Sequence, residues 1–378
     1  MRNLQLYFAT NRKHEGPKRW KPIGYGNRFS DDGEENLRFG KLTLPLDENV
    51  ISRNLQRSAG GKLGRGCGNK LAKAITQKVK RGEAAINAFP ESLDPDRPDT
   101  KQAARHFGSL AMFTELKKAM MTASDVLVFI HGFNVSWSDA VGSALALQES
   151  LNQSNEDYPT QDVLVVLFSW PSDGKALPFV SYSSDRGESR GSGAAMGRGL
   201  LKLRDFVGSI PARAACHQNI HLACHSMGNY VLQNTLPRLF EYTPGRVYPR
   251  LFKHIFLCSP DVDDDVLEPD QAMGDLHQLA AQITIYHNRG DTALWGSDYT
   301  KGNPDRLGQN GVARPALIHQ KVHQVDCSPI VSGFMEHSYY LDGRVNSDIR
   351  MSLANLAMDD ERRTRTRDQD LPNIWKME

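Results

Sequence analysis

From about residue 124 onward, short apolar segments alternate with longer segments of helical pattern. Each apolar segment has the length and the Val, Ile and Phe content of a buried strand. This alternation is typical of a mostly parallel β-sheet with helices on both faces, because parallel neighbours need a long crossover connection. We predict strands over residues 126–130, 163–168, 220–224, 255–258, 283–286 and 322–325. The predicted helices lie near residues 138–151, 193–207, 227–240 and 274–280.

The first 110 residues follow a different pattern. Two short strands are predicted there, over residues 4–9 and 42–44. Residues 53–81 form a basic, glycine-rich insert without acidic residues, which we expect to be a solvated loop leading into a helix near residues 70–88. Residues 90–99 are rich in proline and acidic residues and are interpreted as a linker. The predicted domains are an N-terminal extension (1–110), an α/β domain (111–358) and a charged C-terminal tail (359–378). We expect the charged run 359–370 within this tail to be solvated or disordered.

The charge balance argues against some classes of partner. With 46 Lys and Arg against 44 Asp and Glu, the chain has no overall field that would recruit nucleic acid. The basic insert has no interleaved aromatic residues to stack on bases, so we expect no nucleic-acid partner. We also expect no transmembrane segment and no secretory signal. The five cysteines are widely spaced, which favours a cytoplasmic protein, and the oligomeric state is left open.

The strand over residues 220–224 ends in His225-Ser226-Met227-Gly228, and a helical pattern follows directly. A serine between a strand and a helix is the context of a nucleophile elbow, which lifts the hydroxyl above the sheet edge. Cys224 stands where the pattern G-x-S-x-G has its first glycine, and Gly228 keeps the second one. Ser226 is therefore the candidate nucleophile. The amide of Met227 is a candidate donor to the oxyanion that forms after attack.

A second motif lies upstream, where the strand over residues 126–130 runs into His131-Gly132-Phe133-Asn134. Hydrolases with a nucleophile elbow build the second half of the oxyanion hole after such a strand. The glycine allows the following backbone amides to turn inward. We therefore predict the amide of Phe133 as the second oxyanion donor.

A serine hydroxyl becomes a strong nucleophile when a histidine accepts its proton, and that imidazole needs a carboxylate to orient it. Both partners should follow the serine, with the acid before the histidine. Asp291, just beyond the strand over residues 283–286, is the predicted acid, and Asp263 is the alternative acid. His337 is the predicted base, because it lies in the loop after the last strand. His319 and His323 are the other candidates, and His323 falls within a strand.

Further motifs occur along the chain in the same order as in one known family. They are YFATNR (7–12), FIHGFN (129–134), FSWPS (168–172), DRGES (185–189), HSMG (225–228), SPDVD (259–263) and HSY (337–339). With these motifs the chain resembles a bacterial family of α/β hydrolases of unknown function within the esterase/lipase superfamily. The resemblance implies the α/β-hydrolase fold with Ser226 as nucleophile, and it implies no particular substrate.

We therefore predict a serine hydrolase that cleaves carboxylic (acyl) esters through an acyl-enzyme intermediate and requires no metal or organic cofactor. Four residues, His131, Asn134, Trp170 and His225, are predicted to line the pocket for a small-molecule or lipid acyl ester. A lipase, thioesterase or acyltransferase would use the same residues. A non-catalytic binding protein on the same fold is the alternative from another class.

Overall fold

The computed structural model describes residues 1–55, 67–89, 108–122, 124–153, 158, 162–172, 178–211, 218–294, 305–331, 337–341 and 343–378. Two regions singled out in the sequence lie outside the described residues, namely positions 56–66 of the basic insert and the proline-rich residues 90–99. The predictions made for them stay predictions. Among the described residues, no helix combines the length and the apolar character needed to cross a membrane.

Strands and helices follow one another along most of the described chain. The strands are β1 (Arg2–Thr10), β2 (Arg12–Glu15), β3 (Gly24–Phe29), β4 (Arg38–Leu46), β5 (Ala85–Ala88), β6 (Ser124–Ile130), β7 (Asp162–Ser169), β8 (Ile220–His225), β9 (Phe252–Cys258), β10 (Ala280–His287), β11 (Val322–Asp326), β12 (Arg365–Arg367) and β13 (Ile374–Met377). The helices are α1 (Glu48–Asn54), α2 (Cys67–Lys80), α3 (Gly108–Met120), α4 (Trp137–Leu151), α5 (Pro178–Gly208), α6 (Gly228–Tyr242), α7 (Leu307–Asn310) and α8 (Gly343–Leu353). All six strands predicted between residues 126 and 325 are confirmed.

Eleven strands of the described residues form one sheet, in the order β12-β13-β11-β10-β9-β8-β6-β7-β1-β4-β5. The pairs from β13 through β11, β10, β9, β8, β6 and β7 to β1 are all parallel. The outer strands β4, β5 and β12 pair in antiparallel fashion. The predicted fold class, a mostly parallel α/β sheet with helices on both faces, is confirmed.

The sheet separates two apolar cores, because successive side chains of a strand point to opposite faces. Leu127 and Phe129 of β6 belong to one core, which α1, α2, α4 and α8 cover. Val126, Val128 and Ile130 belong to the other core, beneath α3, α5 and α6. Burial on both faces explains why the central strands are nearly continuous apolar runs.

The predicted N-terminal strands are confirmed, and they are part of the central sheet. β1 pairs in parallel with β7 and in antiparallel fashion with β4. The predicted helix over residues 70–88 is wrong at its C-terminal end. The helix α2 ends at Lys80, Gly82 adopts a φ of 75°, and residues 85–88 form β5. A left-handed glycine directly after a helix stops it, and the chain then turns back toward the sheet edge.

The charged run 359–370 was expected to be solvated or disordered. Most of its residues are exposed, as expected for a solvated segment, but the run is ordered and includes the 3₁₀ turn Glu361–Arg363 and the strand β12. The rest of the C-terminal segment joins the central sheet. β13 adds a parallel strand beside β11, and β12 pairs with β13. Trp375 and Met377 are buried against the core. The positive charges are accommodated because Asp348 of α8 accepts from both Arg363 and Arg365 at 3.1 and 3.0 Å.

Several other elements differ from the sequence-based expectation; β2, β3, α1 and α7 were not predicted, and α5 begins at Pro178, well before the predicted start near residue 193. The helix predicted near residues 274–280 is a single 3₁₀ turn, Gly274–Gln278, and β10 begins at Ala280. The longer helices α3 and α8 were also not predicted. Each is amphipathic and follows a segment of irregular sequence, so its start carried no clear capping signal.

The Asp348 cluster gives a stability prediction. The side chains of Asp348, Arg363 and Arg365 are each about 1% exposed, and the Tyr286 hydroxyl also donates to Asp348 at 2.6 Å. Asp348→Asn leaves two buried guanidinium groups without their shared counter-charge, so we expect the free energy of unfolding to fall by about 3–5 kcal/mol. Urea denaturation followed by tryptophan fluorescence measures the change.

The matched control is Glu241→Gln, which removes the partner of Arg238 in a pair with both side chains about half exposed. Its denaturation midpoint should stay at the wild-type value, because solvent screens exposed pairs. Equal midpoints for wild type and Asp348→Asn would show that this cluster does not hold the C-terminal strands.

Candidate active site

Ser226 lies on the turn between β8 and α6, in a backbone conformation that L-residues rarely adopt. Its φ is 51°. The Ser226 amide donates to the carbonyl of Cys258 at 2.9 Å, and its carbonyl accepts from the amides of Asn229 and Asp261 at 3.0 and 3.2 Å. A strained serine persists only where its surroundings fix it, and such strain is expected at a nucleophile elbow.

Two glycines allow the chain to pack closely around this turn. A Cβ added at Gly228 would lie 2.6 Å from the carbonyl oxygen of Ile130. A Cβ added at Gly132 would lie 2.8 Å from the Cβ of Ser226 and 3.1 Å from Nδ1 of His225. The end of β6 and the turn after β8 can therefore touch only because neither position carries a side chain.

The two predicted oxyanion donors flank this contact. Within the described residues, neither the amide of Phe133 nor that of Met227 donates a hydrogen bond. The neighbouring loop is fixed by Asp185, whose carboxylate accepts from the amide of Asn134 at 3.1 Å and from the hydroxyl of Ser172. The loop thus has a defined shape while the two amides keep their donor capacity for a ligand oxygen.

His337 and Asp291 are in direct contact. Nδ1 of His337 lies 2.7 Å from Oδ2 of Asp291, whose Oδ1 accepts from the amide of Ala293 at 3.2 Å. Asp291 is 1% exposed. Burial lowers the pKa of His337, but the adjacent Asp291 charge and its hydrogen bond outweigh burial, and the net pKa is raised. The pair has the geometry by which a carboxylate orients an imidazole and stabilises its charged form.

Two contacts hold His337 at the same sheet edge as Ser226. Its carbonyl oxygen lies 3.1 Å from Nε2 of His225 and accepts from the hydroxyl of Ser259 at 2.9 Å. His225 directly precedes Ser226, and Ser259 follows Cys258, which accepts from the Ser226 amide. The carbonyl of the predicted base is therefore tied to residues adjacent to the predicted nucleophile.

The alternative acid and the alternative bases have other partners. Oδ1 of Asp263 lies 2.6 Å from Nη1 of Arg306. The ring of His319 stacks on His277 at 3.9 Å between centroids, and Nδ1 of His323 lies 3.4 Å from Nε1 of Trp375. Asp291 contacts His337, whereas Asp263, His319 and His323 do not.

The predicted pocket residues occupy three different environments. His131 and Trp170 are buried, stack at 5.2 Å, and are joined by a hydrogen bond of 2.9 Å from the indole to the His131 carbonyl. They hold the ends of β6 and β7 together and do not form an accessible wall. Burial, followed by the charge of Arg12, lowers the pKa of His131 to about 3, so its ring is neutral. Asn134 is exposed on the adjacent loop.

His225 packs against His337 and Tyr340, with both ring centroids 4.7 Å away. Burial and the neighbouring His337 hold the pKa of His225 well below its usual range. Its ring is therefore neutral and can donate from Nε2 to the His337 carbonyl. This is a supporting contact beneath the site, which differs from the predicted position in a substrate pocket.

Sequence reasoning missed three residues that shape the site. Arg12 is buried and donates to the Val135 carbonyl at 2.8 Å, and Tyr182 of α5 donates to Asp261 at 3.0 Å. Asp185 lies in the motif DRGES, and its carboxylate binds the loop after β6. All three lie in or near the recurrent motifs, so motif membership was the available signal.

The parallel sheet, with Ser226 on the left-handed turn after β8, defines the protein as an α/β hydrolase. The model of the family "alpha/beta hydrolase of unknown function" (DUF900) matches residues 109–349. The match covers more than half of the chain, and the protein belongs to that family.

Similar proteins were also found individually. An uncharacterized protein of Nostoc sp. is 22% identical over an alignment of 282 residues, which covers 57% of this chain and 70% of the relative. Esterase B from Lactobacillus rhamnosis, solved with a tributyrin phosphonate, aligns with 64% of this chain and 79% of its own at a TM-score of 0.33 and 13% identity. Phospholipase PlaB from Legionella pneumophila aligns with 54% of this chain and 39% of its own at a TM-score of 0.21 and 14% identity.

The close approach at Gly132 gives a second prediction. Gly132→Ala places a methyl group against Ser226 and His225, so we expect a loss of about 1–3 kcal/mol of stability from overpacking. Gly187→Ala in α5 is the control, since an added Cβ there meets nothing within 4 Å. The control should be neutral or slightly stabilising, because alanine favours a helix. Thermal unfolding compares the two variants, and a Gly132→Ala protein as stable as wild type would contradict the close packing.

Proposed function

We propose that the protein is a serine hydrolase that cleaves carboxylic esters, with Ser226 as nucleophile, His337 as base and Asp291 as the orienting acid. The observation that carries the proposal is the 2.7 Å contact between His337 and Asp291 at the sheet edge where Ser226 occupies a strained turn. Strained backbone and a carboxylate-bound histidine with a raised pKa are each common in structural roles. Their combination at one edge of this fold favours nucleophilic catalysis.

In the proposed reaction, the Ser226 oxygen attacks the acyl carbon of the ester while Nε2 of His337 takes the hydroxyl proton. The amides of Phe133 and Met227 donate to the oxyanion of the tetrahedral intermediate. The intermediate collapses with cleavage of the bond to the alkoxide, which receives the proton from His337. The acyl group is then bound to Ser226, and water releases it by the same sequence of proton transfers.

The unused amides support the oxyanion assignment. A donor already satisfied by protein would have to break that bond before it could stabilise the developing charge. Because the amides of Phe133 and Met227 make no such bond within the described residues, they need no rearrangement. Preorganised donors of this kind are a large contribution to acyl-transfer catalysis.

Replacement of the nucleophile is the direct test. We expect the wild-type protein to hydrolyse p-nitrophenyl esters of increasing chain length and to react with a fluorophosphonate probe. Ser226→Ala should lower kcat/KM at least about 10³-fold and abolish labelling, because no other group forms the acyl-enzyme. Ser209→Ala is the control, since Ser209 lies on the surface at the end of α5.

A folded wild-type protein that neither hydrolyses any ester in the series nor takes the label would contradict the proposal. Undiminished hydrolysis by Ser226→Ala would assign the activity to another group.

The raised pKa of His337 gives a pH prediction. His337 must be neutral to accept the Ser226 proton, so kcat/KM falls as pH decreases through its pKa. The Asp291 charge raises that pKa, so the acid limb of the profile lies above the ordinary imidazole value of about 6.5. Asp291→Asn removes the charge, and we expect the acid limb to move to lower pH while kcat falls by about 10³- to 10⁴-fold.

Asp263→Asn is the control for the alternative acid, because Asp263 pairs with Arg306. Its acid limb should coincide with that of wild type. If Asp263→Asn moves the limb and Asp291→Asn does not, the acid has been assigned wrongly.

A further inference from the structure

The N-terminal half of α5 lies directly beside the candidate active site. The ring of Tyr182 packs edge-on against Phe133 at 5.6 Å between centroids, and its hydroxyl donates to Asp261 at 3.0 Å. The amide of Asp261 in turn donates to the Ser226 carbonyl at 3.2 Å. Tyr182 thus connects this half of α5 to the loop after β6 and to the residue that binds the Ser226 carbonyl.

Arg186 is one turn beyond Tyr182 and is held in a defined orientation. Its guanidinium stacks on the ring of Tyr230 at 4.1 Å from the centroid, and Nη1 donates to the Tyr182 hydroxyl at 3.4 Å. Arg190, a further turn along, donates from Nη2 to the Tyr230 hydroxyl at 3.2 Å. Tyr230 belongs to α6, the helix that begins just after Ser226. Both arginines thus contact Tyr230, one through its ring and one through its hydroxyl, in the first turn of the helix that follows Ser226.

Neither guanidinium forms an ion pair with a carboxylate of the described residues. Their hydrogen-bond partners are phenol oxygens, so most of their N–H groups remain available as donors. The effect on Tyr230 indicates a positive local potential. Burial raises its pKa, yet the hydrogen bond from Arg190 and the two positive charges outweigh burial and lower it.

Two carboxylates near the arginines, Asp261 and Asp185, have other partners, and the charge of Asp261 raises the pKa of Arg186 less than the two tyrosines do. Asp261 accepts from Tyr182 and lies 3.5 Å from Nε of the buried Arg306. Asp185 accepts from the Asn134 amide and the Ser172 hydroxyl. The positive charge of Arg186 and Arg190 is therefore available to a ligand, and a planar guanidinium fixed by stacking is well suited to bind a carboxylate or phosphate.

We propose that Arg186, oriented by Tyr230 and assisted by Arg190, binds an anionic group of the substrate, so that the protein prefers esters that carry a carboxylate or phosphate near the scissile bond. This inference rests on the proposed serine-hydrolase function. It names a substrate class that the apolar pocket of a simple lipase would reject, because an unpaired anion is costly to desolvate.

The test compares matched anionic and neutral esters. On the acyl side, p-nitrophenyl hemiglutarate is compared with p-nitrophenyl valerate; on the alcohol side, butyryl glycolate is compared with ethyl butyrate. We expect wild type to prefer the anionic member of at least one pair. Arg186→Gln should raise KM for that member about 10-fold or more and leave the neutral member unchanged, as for the loss of a charge-assisted hydrogen bond.

Two further variants sharpen the result. Arg186→Lys keeps the charge but loses the planar fork, so it should recover part of the lost affinity. Arg198→Gln is the matched control on the same helix, because Arg198 pairs with Glu35 away from the site. Its KM values should equal those of wild type.

Two outcomes would overturn the proposal. In one, Arg186→Gln raises KM equally for the anionic and the neutral ester of a pair, which assigns Arg186 a structural role. In the other, KM is unchanged for all four esters. A binding arm separates this from failure of the hydrolase function. Glutarate and inorganic phosphate should raise the melting temperature of wild type more than that of Arg186→Gln. If no ester is cleaved, this difference alone supports the anion site, and its absence refutes it.

Discussion

The parallel pairing of β8 between β6 and β9 is the interaction on which the candidate site depends. Its register sets Ile130 beside Cys224 and His225 beside Cys258, so the carboxyl ends of three strands coincide. A slip of one residue would turn every side chain of β8 to the opposite face and expose its apolar set, so burial on both faces of the sheet fixes the register. The hydrogen bond from Ser226 to Cys258 continues this pairing beyond the strand and sets the height of the turn. From there, β10 carries Asp291 to the same edge, and the HSY segment returns His337 to it.

The central strands could be predicted from the sequence because each is buried on both faces and is therefore a short, nearly continuous apolar run. The position of β1 could not be predicted in the same way. It joins the sheet beside β7, which lies more than 150 residues away along the chain, and local pattern contains no information on such a pairing. The C-terminal strands escaped notice for a different reason. Their arginines read as solvent-exposed charge, whereas Asp348 neutralises two of them in the interior, and that compensation is visible only in three dimensions.

For the site, the order of motifs along the chain and the strand-to-helix context were sufficient to single out Ser226, Asp291 and His337, whose roles are proposals. Sequence patterns provide less guidance for residues whose role depends on the direction of a side chain. His131 and Trp170 directly follow β6 and β7, the strands that end near the site, yet their side chains point into the interior and join the two strands. His225 is next to the serine in sequence, and its ring lies against His337. Sequence adjacency therefore predicts that these residues lie near the site. It does not predict which of them contact the substrate and which support the site from below.

The buried charges beneath the loop after β6 reduce stability and orient the backbone of that loop. Burial lowers the pKa of Arg12, while Asp185 and Glu188 oppose that effect, so the arginine and its counter-charges form a mutually dependent group. A well-packed apolar cluster would contribute as much or more to stability. What the polar group provides instead is direction: Arg12 binds the Val135 carbonyl, Ser172 the Val135 amide, and Asp185 the Asn134 amide. With the backbone on the C-terminal side of Phe133 fixed at three points, the orientation of its own amide is determined without a bond to that amide. The oxyanion role that we propose for the Phe133 amide requires both a fixed direction and a free hydrogen, and this arrangement has both properties.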